Sequence, residues 1–440
     1  MTEQYHIRGR TTKEIAASVE ALVARGTLSP GTQLPSVRRL AGDLGVSPTT
    51  AAAALRELAR RGIVVSEERR GSTVSPRPPV ATPPPAPLLP PGVRDLTTGD
   101  PDPALLPDLA AALGELEVPV RLYGGDPAVP ELLELARADI ASLGVPAEHL
   151  CVVSGALDGV ERVLAAQLRP GDRVAVEDPG YPNALDLLRA LGLVPVPVAI
   201  DDAGMLPDAL ARALAAGAGA VLVTPRSQNP TGAALDARRA AELRAALGRA
   251  PDVLVIEDDH LGAVAGVPAH TVVPGSARWA FVRSVAKSLG PDLRLAFIAG
   301  DAETVARVGG RLQLGPGWVS HVLQRLVLRL LRDPAVAALR ERAARTYQAR
   351  RDALIAALAA HGVAAHGRTG MNVWIPVPDE ATAVRALLQE GWAVRPGAEY
   401  RLESPPAIRV TTAALEPEEA ERLAEALARA LEPGRRTRAA

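Results

Sequence analysis

Between residues 11 and 75 the apolar positions predict three short helices followed by a hairpin. Ile15, Val19, Leu22 and Val23 recur at three- and four-residue spacing, the signature of one buried helix face. A turn, LSPG, leads into LPSVRRLAGDLG, where Ser36 is placed to cap a short helix that stops at a glycine. Ser47 is a good N-cap and Pro48 a good first residue for the next helix, SPTTAAAALRELARRG. Two short helices joined by a tight turn make a helix-turn-helix. The following GIVVSEERRGSTVS predicts a β-hairpin, a wing, with a basic, glycine-containing tip at Arg69, Arg70 and Gly71.

From residue 150 the rhythm changes. LCVVSG, DRVAVEDPG, AVLVTP, DVLVIEDD, AFVRS and RLAFIAG read as buried strands, and segments such as LDGVERVLAAQLR and ARRAAELRAALGR read as helices. Strands alternating with helices predict an α/β body with a parallel sheet covered on both faces. Such sheets bind ligands at the carboxyl ends of their strands, so unusual residues are expected just after each apolar run. They occur there: Gly155 and Ala156 opening a helix, then Tyr181, then Asn229-Pro230-Thr231-Gly232. Glu257-Asp258-Asp259-His260 follows, and last come Ser284, Lys287 and Arg294. A glycine turn into a helix N-terminus suits a phosphate, and Tyr181 can stack on a flat ring. The run Glu257–His260 could suggest a metal, but no second histidine cluster supports one, and none is expected.

The two patterned regions are separated by Pro76–Pro91, in which nine of 16 residues are proline. At about 3.1 Å per residue this stretch can span roughly 50 Å as a semi-rigid polyproline II spacer. The expected division is therefore a DNA-binding domain over 1–75, a linker over 76–93 and a body over 94–432, with a smaller α+β subdomain from about 320 on. Charge supports it. Residues 1–77 carry twelve basic and seven acidic side chains, net +5, which leaves −6 on the remainder of a chain whose total is −1. A basic module on a non-basic body suggests local nucleic-acid binding. The lone Cys151 allows no disulfide framework and fits a reducing compartment. The polar start MTEQYHIRGR has no signal-peptide core, and no run reaches the roughly 18–20 apolar residues of a membrane span, so a cytoplasmic protein is expected.

Lysine changes the picture most. Of 49 Lys and Arg, only Lys13 and Lys287 are lysine. Arginine never deprotonates in proteins, whereas a lysine amine can lose its proton and attack a carbonyl. Lys287, after an apolar run and between Ser284 and Arg294, is the candidate for amine chemistry.

The run GTLSPGTQLPSVRRLAGDLGVSPTTAAAALRELARRGIV resembles the GntR-type winged helix over about 70 residues. That resemblance implies that Ser47, Thr49 and Thr50 meet base edges or phosphates at the start of the recognition helix. It implies further that Arg38 and Arg39 meet phosphates and that Arg69, Arg70 and Gly71 approach the minor groove. From about Asp95 to Leu431 the NPTG tetrapeptide and the order of elements resemble fold type I pyridoxal-phosphate enzymes, the aspartate aminotransferase superfamily. The resemblance implies that Lys287 forms the Schiff base with pyridoxal phosphate and that Asp258 pairs with the pyridine nitrogen. Asn229 would bond the ring hydroxyl, Tyr181 would stack on the ring, and Gly155, Ala156, Ser284 and Arg294 would hold the phosphate. Tyr123, in YGGDP, would reach the neighbouring subunit's phosphate in a homodimer. Arg409, in AIRVTTA, would clamp an α-carboxylate. His260 stands where such proteins usually carry a tyrosine that bonds the ring hydroxyl; an imidazole can also donate a hydrogen bond there, so cofactor binding is expected to survive the exchange.

A GntR-type winged helix, a proline-rich linker and an aminotransferase-like body, in that order, resemble the MocR/PdxR group of bacterial regulators. The implied function is a DNA-binding transcriptional regulator that senses pyridoxal phosphate or an amino compound through Lys287. The alternative is an active pyridoxal-phosphate-dependent aminotransferase of weak activity, with a secondary or vestigial DNA-binding module.

Overall fold

A computed structural model describes residues 6–67, 71–75 and 89–431. Arg69 and Arg70, and residues 76–88 of the proline run, lie outside the described residues. The N-terminal domain comprises α1 (Thr12–Ala24), α2 (Val37–Leu44), α3 (Pro48–Arg60), β1 (Val64–Glu67) and β2 (Gly71–Val74). The body begins with β3 (Arg94–Asp95), α4 (Leu109–Gly114), α5 (Pro130–Ala141), β4 (Leu150–Val153), α6 (Ala156–Gln167), β5 (Arg173–Asp178) and α7 (Pro182–Ala190). Next come β6 (Val194–Asp201), β7 (Gly204–Met205), α8 (Pro207–Ala215), β8 (Ala218–Val223), α9 (Ala237–Leu247), β9 (Leu254–Asp259), β10 (Arg278–Ser284) and α10 (Ala286–Leu289). It continues with β11 (Ala296–Gly300), α11 (Ala302–Gln313), α12 (His321–Arg332), α13 (Pro334–Ala360), β12 (Asn372–Pro376) and α14 (Glu380–Gln389). The chain ends with β13 (Trp392–Ala393), β14 (Arg395–Pro396), β15 (Ala407–Thr411) and α15 (Pro417–Leu431).

Local chemistry sets the N-terminal helices. Thr11 and Glu14 form a reciprocal capping box on α1, Ser36 Oγ accepts from Arg39 N on α2, and Gly45 ends α2 at φ +63°. Ile15, Val19, Leu40, Ala51, Leu55, Leu58, Ile63 and Val74 meet in one apolar core, so the three helices and the hairpin bury each other's stripes. β1 and β2 pair antiparallel from Val64↔Val74 to Glu67↔Gly71, the two strands of the expected wing.

By compactness the chain divides into residues up to 88 together with 168–174 and 182–195, and the rest. In the first unit Gly62 and Gly192, both at positive φ, lie where a Cβ would strike the carbonyls of Arg189 and Arg60 respectively.

In the body an eight-stranded sheet runs β4-β11-β10-β9-β8-β5-β6-β7. β8, β9 and β10 pair in parallel, as their near-continuous apolar runs predict. The β4-β11-β10 flank is antiparallel. Only 11 residues separate β10 from β11, close to the shortest crossover that a parallel return allows, and here the chain turns straight back. That turn holds Lys287 and Arg294 at the carboxyl end of β10. A second core forms around β12-β15-β14 and helices α13 to α15, gathering Leu354, Leu358, Val373, Ile408, Val410 and Leu423. Leu96, far earlier in the chain, is buried in it. α12 contributes Leu326, Val327 and Leu330 to the large core instead, so apart from Leu96 the buried residues of the small core start at Leu354.

Candidate cofactor and DNA sites

β9 sorts its acidic residues by face, because successive strand side chains point to opposite sides. Glu257 and Asp259 lie on one side. Glu257 accepts from Thr271 Oγ1 and Val272 N, and burial pushes its carboxyl up to about 7. Asp259 is gripped bidentately by Arg226, with Nε and Nη2 each 2.9 Å from a carboxylate oxygen, and again by Arg283. Burial alone would raise the Asp259 pKa, but Arg283 and Arg226 outweigh it and hold the carboxyl below its ordinary value. Asp258 points the other way. Its Oδ1 is sealed from solvent and has no hydrogen-bond partner among the described residues. Burial, then the Asp259 charge, raises it to about 7.

Around Asp258 the strand ends bring most of the expected residues together. Lys287 Nζ donates to the Gly99 carbonyl. Burial lowers the lysine pKa, opposed by Asp100 and assisted by Arg409. His260 is pushed down to about 4, first by burial and then by the Lys287 charge, so its imidazole is neutral near pH 7. Arg409, on β15, donates from Nη1 to Asn229 Oδ1 at 3.2 Å and from Nη2 to the carbonyls of Thr97 and Thr98. Its guanidinium lies 5.3 Å from the Tyr400 ring centroid, and its Nε is sealed without a partner among the described residues. Tyr181 lies within electrostatic range of Arg409.

At the other end of the site Gly155 has φ +104°, and a Cβ there would stand 3.0 Å from Arg294 Nη2. Arg294 itself sits at φ +44°, a left-handed conformation that a long side chain adopts at a cost. Together with Ala156 at the start of the 12-residue α6 and Ser284 at the end of β10, they make a cationic cup at a helix N-terminus. An orphaned buried carboxylate oxygen, a half-buried amine and a glycine-lined arginine cup are what the nitrogen, aldehyde and phosphate of pyridoxal phosphate require. The residues fit the group.

Tyr123 is not drawn in. It is 92% exposed and makes an edge contact with Trp318, with ring centroids 5.7 Å apart. Several residues escaped sequence reading. Asp178 accepts from Leu402 N, Glu403 N, Ser404 N and Ser404 Oγ, all at 2.7–2.9 Å, and ties the end of β5 to the small subdomain. Gln228, fully buried, accepts from Thr231 and donates to the Pro179 carbonyl, fixing the NPTG turn. Tyr400 carried a usable signal, being one of five tyrosines in a chain poor in aromatics.

In the N-terminal domain Ser47 caps α3, accepting from Thr50 N at 3.0 Å and lying 2.8 Å from Thr50 Oγ1. Thr49 is exposed beside it, as are Arg38 and Arg39 on α2. Gly71 opens β2 at φ +83°.

Comparison with known proteins agrees on both halves. Residues 92–427 match the family described as aminotransferase class I and II, and residues 11–74 match bacterial regulatory proteins of the gntR family. The chain is 40% identical to the vitamin B6 salvage pathway transcriptional repressor PtsJ of Salmonella typhimurium, over 97% of this chain and 99% of that protein. It is 30% identical to the transcriptional regulator TauR of Rhodobacter capsulatus, over 85% and 86% of the two chains. An archaeal alanine:glyoxylate aminotransferase structure superposes with a TM-score of 0.70 at 24% identity, covering 77% of this chain and 90% of that one, which establishes the fold. A winged helix joined to a fold type I body that binds pyridoxal phosphate defines a DNA-binding transcriptional regulator. The chain belongs to the MocR/PdxR family of such regulators.

Proposed function

We propose that this regulator senses pyridoxal phosphate, or an amino compound that reacts with it, and reports the ligand to DNA as a cytoplasmic homodimer. The Oδ1 of Asp258, partnerless among the described residues, carries the reading, because a sealed carboxylate oxygen left unpaired calls for a cationic nitrogen. Bound pyridoxal phosphate supplies an aldehyde that passes between amines and a ring that draws electrons.

The chain's own residues do the rest. Burial lowers the Lys287 pKa and so favours the neutral, nucleophilic amine. Asp258 accepts from the ring nitrogen and keeps it protonated. Asn229 Oδ1 accepts from Arg409 Nη1, which leaves the amide N–H groups of Asn229 to face the ring hydroxyl, and neutral His260 is a second donor there. Tyr181 covers the ring, while Gly155, Ala156, Ser284 and Arg294 hold the phosphate. Arg409 receives a ligand carboxylate.

Tyr123 serves the partner subunit. It lies in a run of exposed apolar side chains, Val118, Val120, Leu122 and Tyr123, which a second copy would cover. Among the described residues no helix is long and apolar enough to cross a membrane. On DNA, Ser47, Thr49 and Thr50 meet the major groove and Arg38 and Arg39 the phosphates. Gly71 belongs to the wing, whose Arg69 and Arg70 face the minor groove.

Mobility shifts on the DNA upstream of its own gene test the reading. Affinity should change with pyridoxal phosphate or with an added amine, and binding indifferent to both would sink it. Arg39→Ala should lower the salt dependence of that binding by about one unit of slope. A monomer by sedimentation would remove the role given to Tyr123.

A further inference from the structure

The chain enters the body through residues that belong to the small subdomain. Arg94 and Asp95 pair in parallel with Trp392 and Ala393, Leu96 N donates to the Ala393 carbonyl, and Thr411 N donates to the Leu96 carbonyl. Arg94 also bridges to Glu419 at 3.1 Å, and Leu96 is 2% exposed in the small core. This root follows directly on the proline run. The next three residues turn their carbonyls toward the site. Thr97 and Thr98 receive Arg409 Nη2, Thr98 also receives Thr411 Oγ1, and Gly99 receives Lys287.

A carboxylate binds an arginine best through the parallel Nε and Nη2 donors. On Arg409 the first of these is sealed without a partner among the described residues, and the second is held by the two carbonyls.

We propose that Thr97–Gly99 is the strap that reads the ligand: the carboxylate of an α-amino acid takes the Nε–Nη2 edge of Arg409 from the Thr97 and Thr98 carbonyls. The displaced strap shifts the linker root at Arg94–Leu96. This rests on the regulator reading above and names its ligand class and its route. An ionised acceptor displaces neutral carbonyls because charge-assisted hydrogen bonds are about twice as strong. Thr98 O keeps Thr411 Oγ1, Thr97 O turns to water, Asn229 keeps Nη1, and the orphaned Nε gains a partner. Amines without a carboxylate can reach Lys287 chemistry but leave the strap in place. By reciprocity, DNA that prefers one position of the root alters amino-acid affinity by the same factor.

Thr98 is exposed, and its side chain takes no part in this exchange, so Thr98→Cys can carry a thiol-reactive fluorophore in the full-length, pyridoxal-phosphate-loaded protein. Cys151, pushed up to about 12 by burial, stays unlabelled. The probes are the twenty standard amino acids and, for each responder, its decarboxylated amine. The amino acid should shift both the visible absorbance and the label with one midpoint, and the amine only the absorbance. A label that follows the amine equally, or follows no amino acid, overturns the proposal.

A second variant inserts Gly-Ser-Gly-Ser between Val93 and Arg94. There the label should still respond, while the amino acid's effect on affinity for the upstream DNA shrinks about fivefold or more, the lower range of such couplings. Undiminished coupling overturns the route through the root. Loss of DNA binding by the unmodified protein would instead be a failure of the regulator reading, and is measured first.

Discussion

Asp258 and Asp259 are neighbours on one strand, both enclosed, and opposite in every other respect. Asp259 is bound by two arginines, one of which reaches on to Asp139 at 2.9 Å, and its charge is held on. Asp258 has an oxygen with no partner among the described residues, and burial raises its pKa to about 7. The difference separates structure from function on a single element. A buried carboxylate that the protein has satisfied holds the sheet together, whereas one it has left unsatisfied waits for a ligand.

The largest effect should come from Asp259→Ala. It leaves Arg226 and Arg283 buried around no anion and should cost about 3–5 kcal/mol, about 6–20 °C in Tm by calorimetry. A change below about 1 kcal/mol would mean that the arginines reach water and the network is not structural.

Asp258→Asn should do the reverse, folding normally but binding pyridoxal phosphate about 10- to 150-fold more weakly, from the roughly 1.5–3 kcal/mol of a hydrogen bond to a charged group. Equilibrium titration of the visible band measures it, and unchanged affinity would return Asp258 to the structural class.

The same pair predicts a pH effect in cofactor-free protein. Because the Asp258 pKa is raised to about 7, the folded chain keeps a proton that the unfolded chain releases, and stability falls as pH rises from about 4 through 7. Asp258→Asn escapes this, so its Tm advantage over the wild type should grow from pH 5 to pH 8. His260, with its folded pKa depressed to about 4, acts with the opposite sign, losing stability as pH falls from about 6.5, but it is common to both proteins and cancels.

His260→Tyr should have the smallest effect. One neutral donor replaces another, so Tm should change by less than about 3 °C and the pH midpoint of the visible band by less than about one unit. A larger move would show that the imidazole carries charge.

Much of the fold was legible because its signals are local. Caps, turn glycines and helical spacing set the winged helix, and NPTG with a lysine after a strand marked the body as an aminotransferase relative. What escaped was non-local. Nothing near Leu96 shows that it belongs to a core assembled from residue 354 onward, and nothing near Asp178 shows that it receives the backbone of 402–404. The antiparallel flank was also hidden, since a run such as RLAFIAG is equally apolar in either direction. Asp258 and Asp259 read alike in sequence, and only the arginines brought from β8–β9 and β10 tell them apart.

The near absence of lysine has a practical side. Pyridoxal phosphate is an indiscriminate aldehyde toward accessible amines, and most proteins offer it dozens of stray addresses. This chain offers two on its side chains: Lys287, half-buried in the site, and Lys13, exposed on the first turn of α1. After reduction with borohydride, the ratio of modified peptides from these two positions is an internal calibration. It separates site occupancy from background labelling in a single digest, without a mutant.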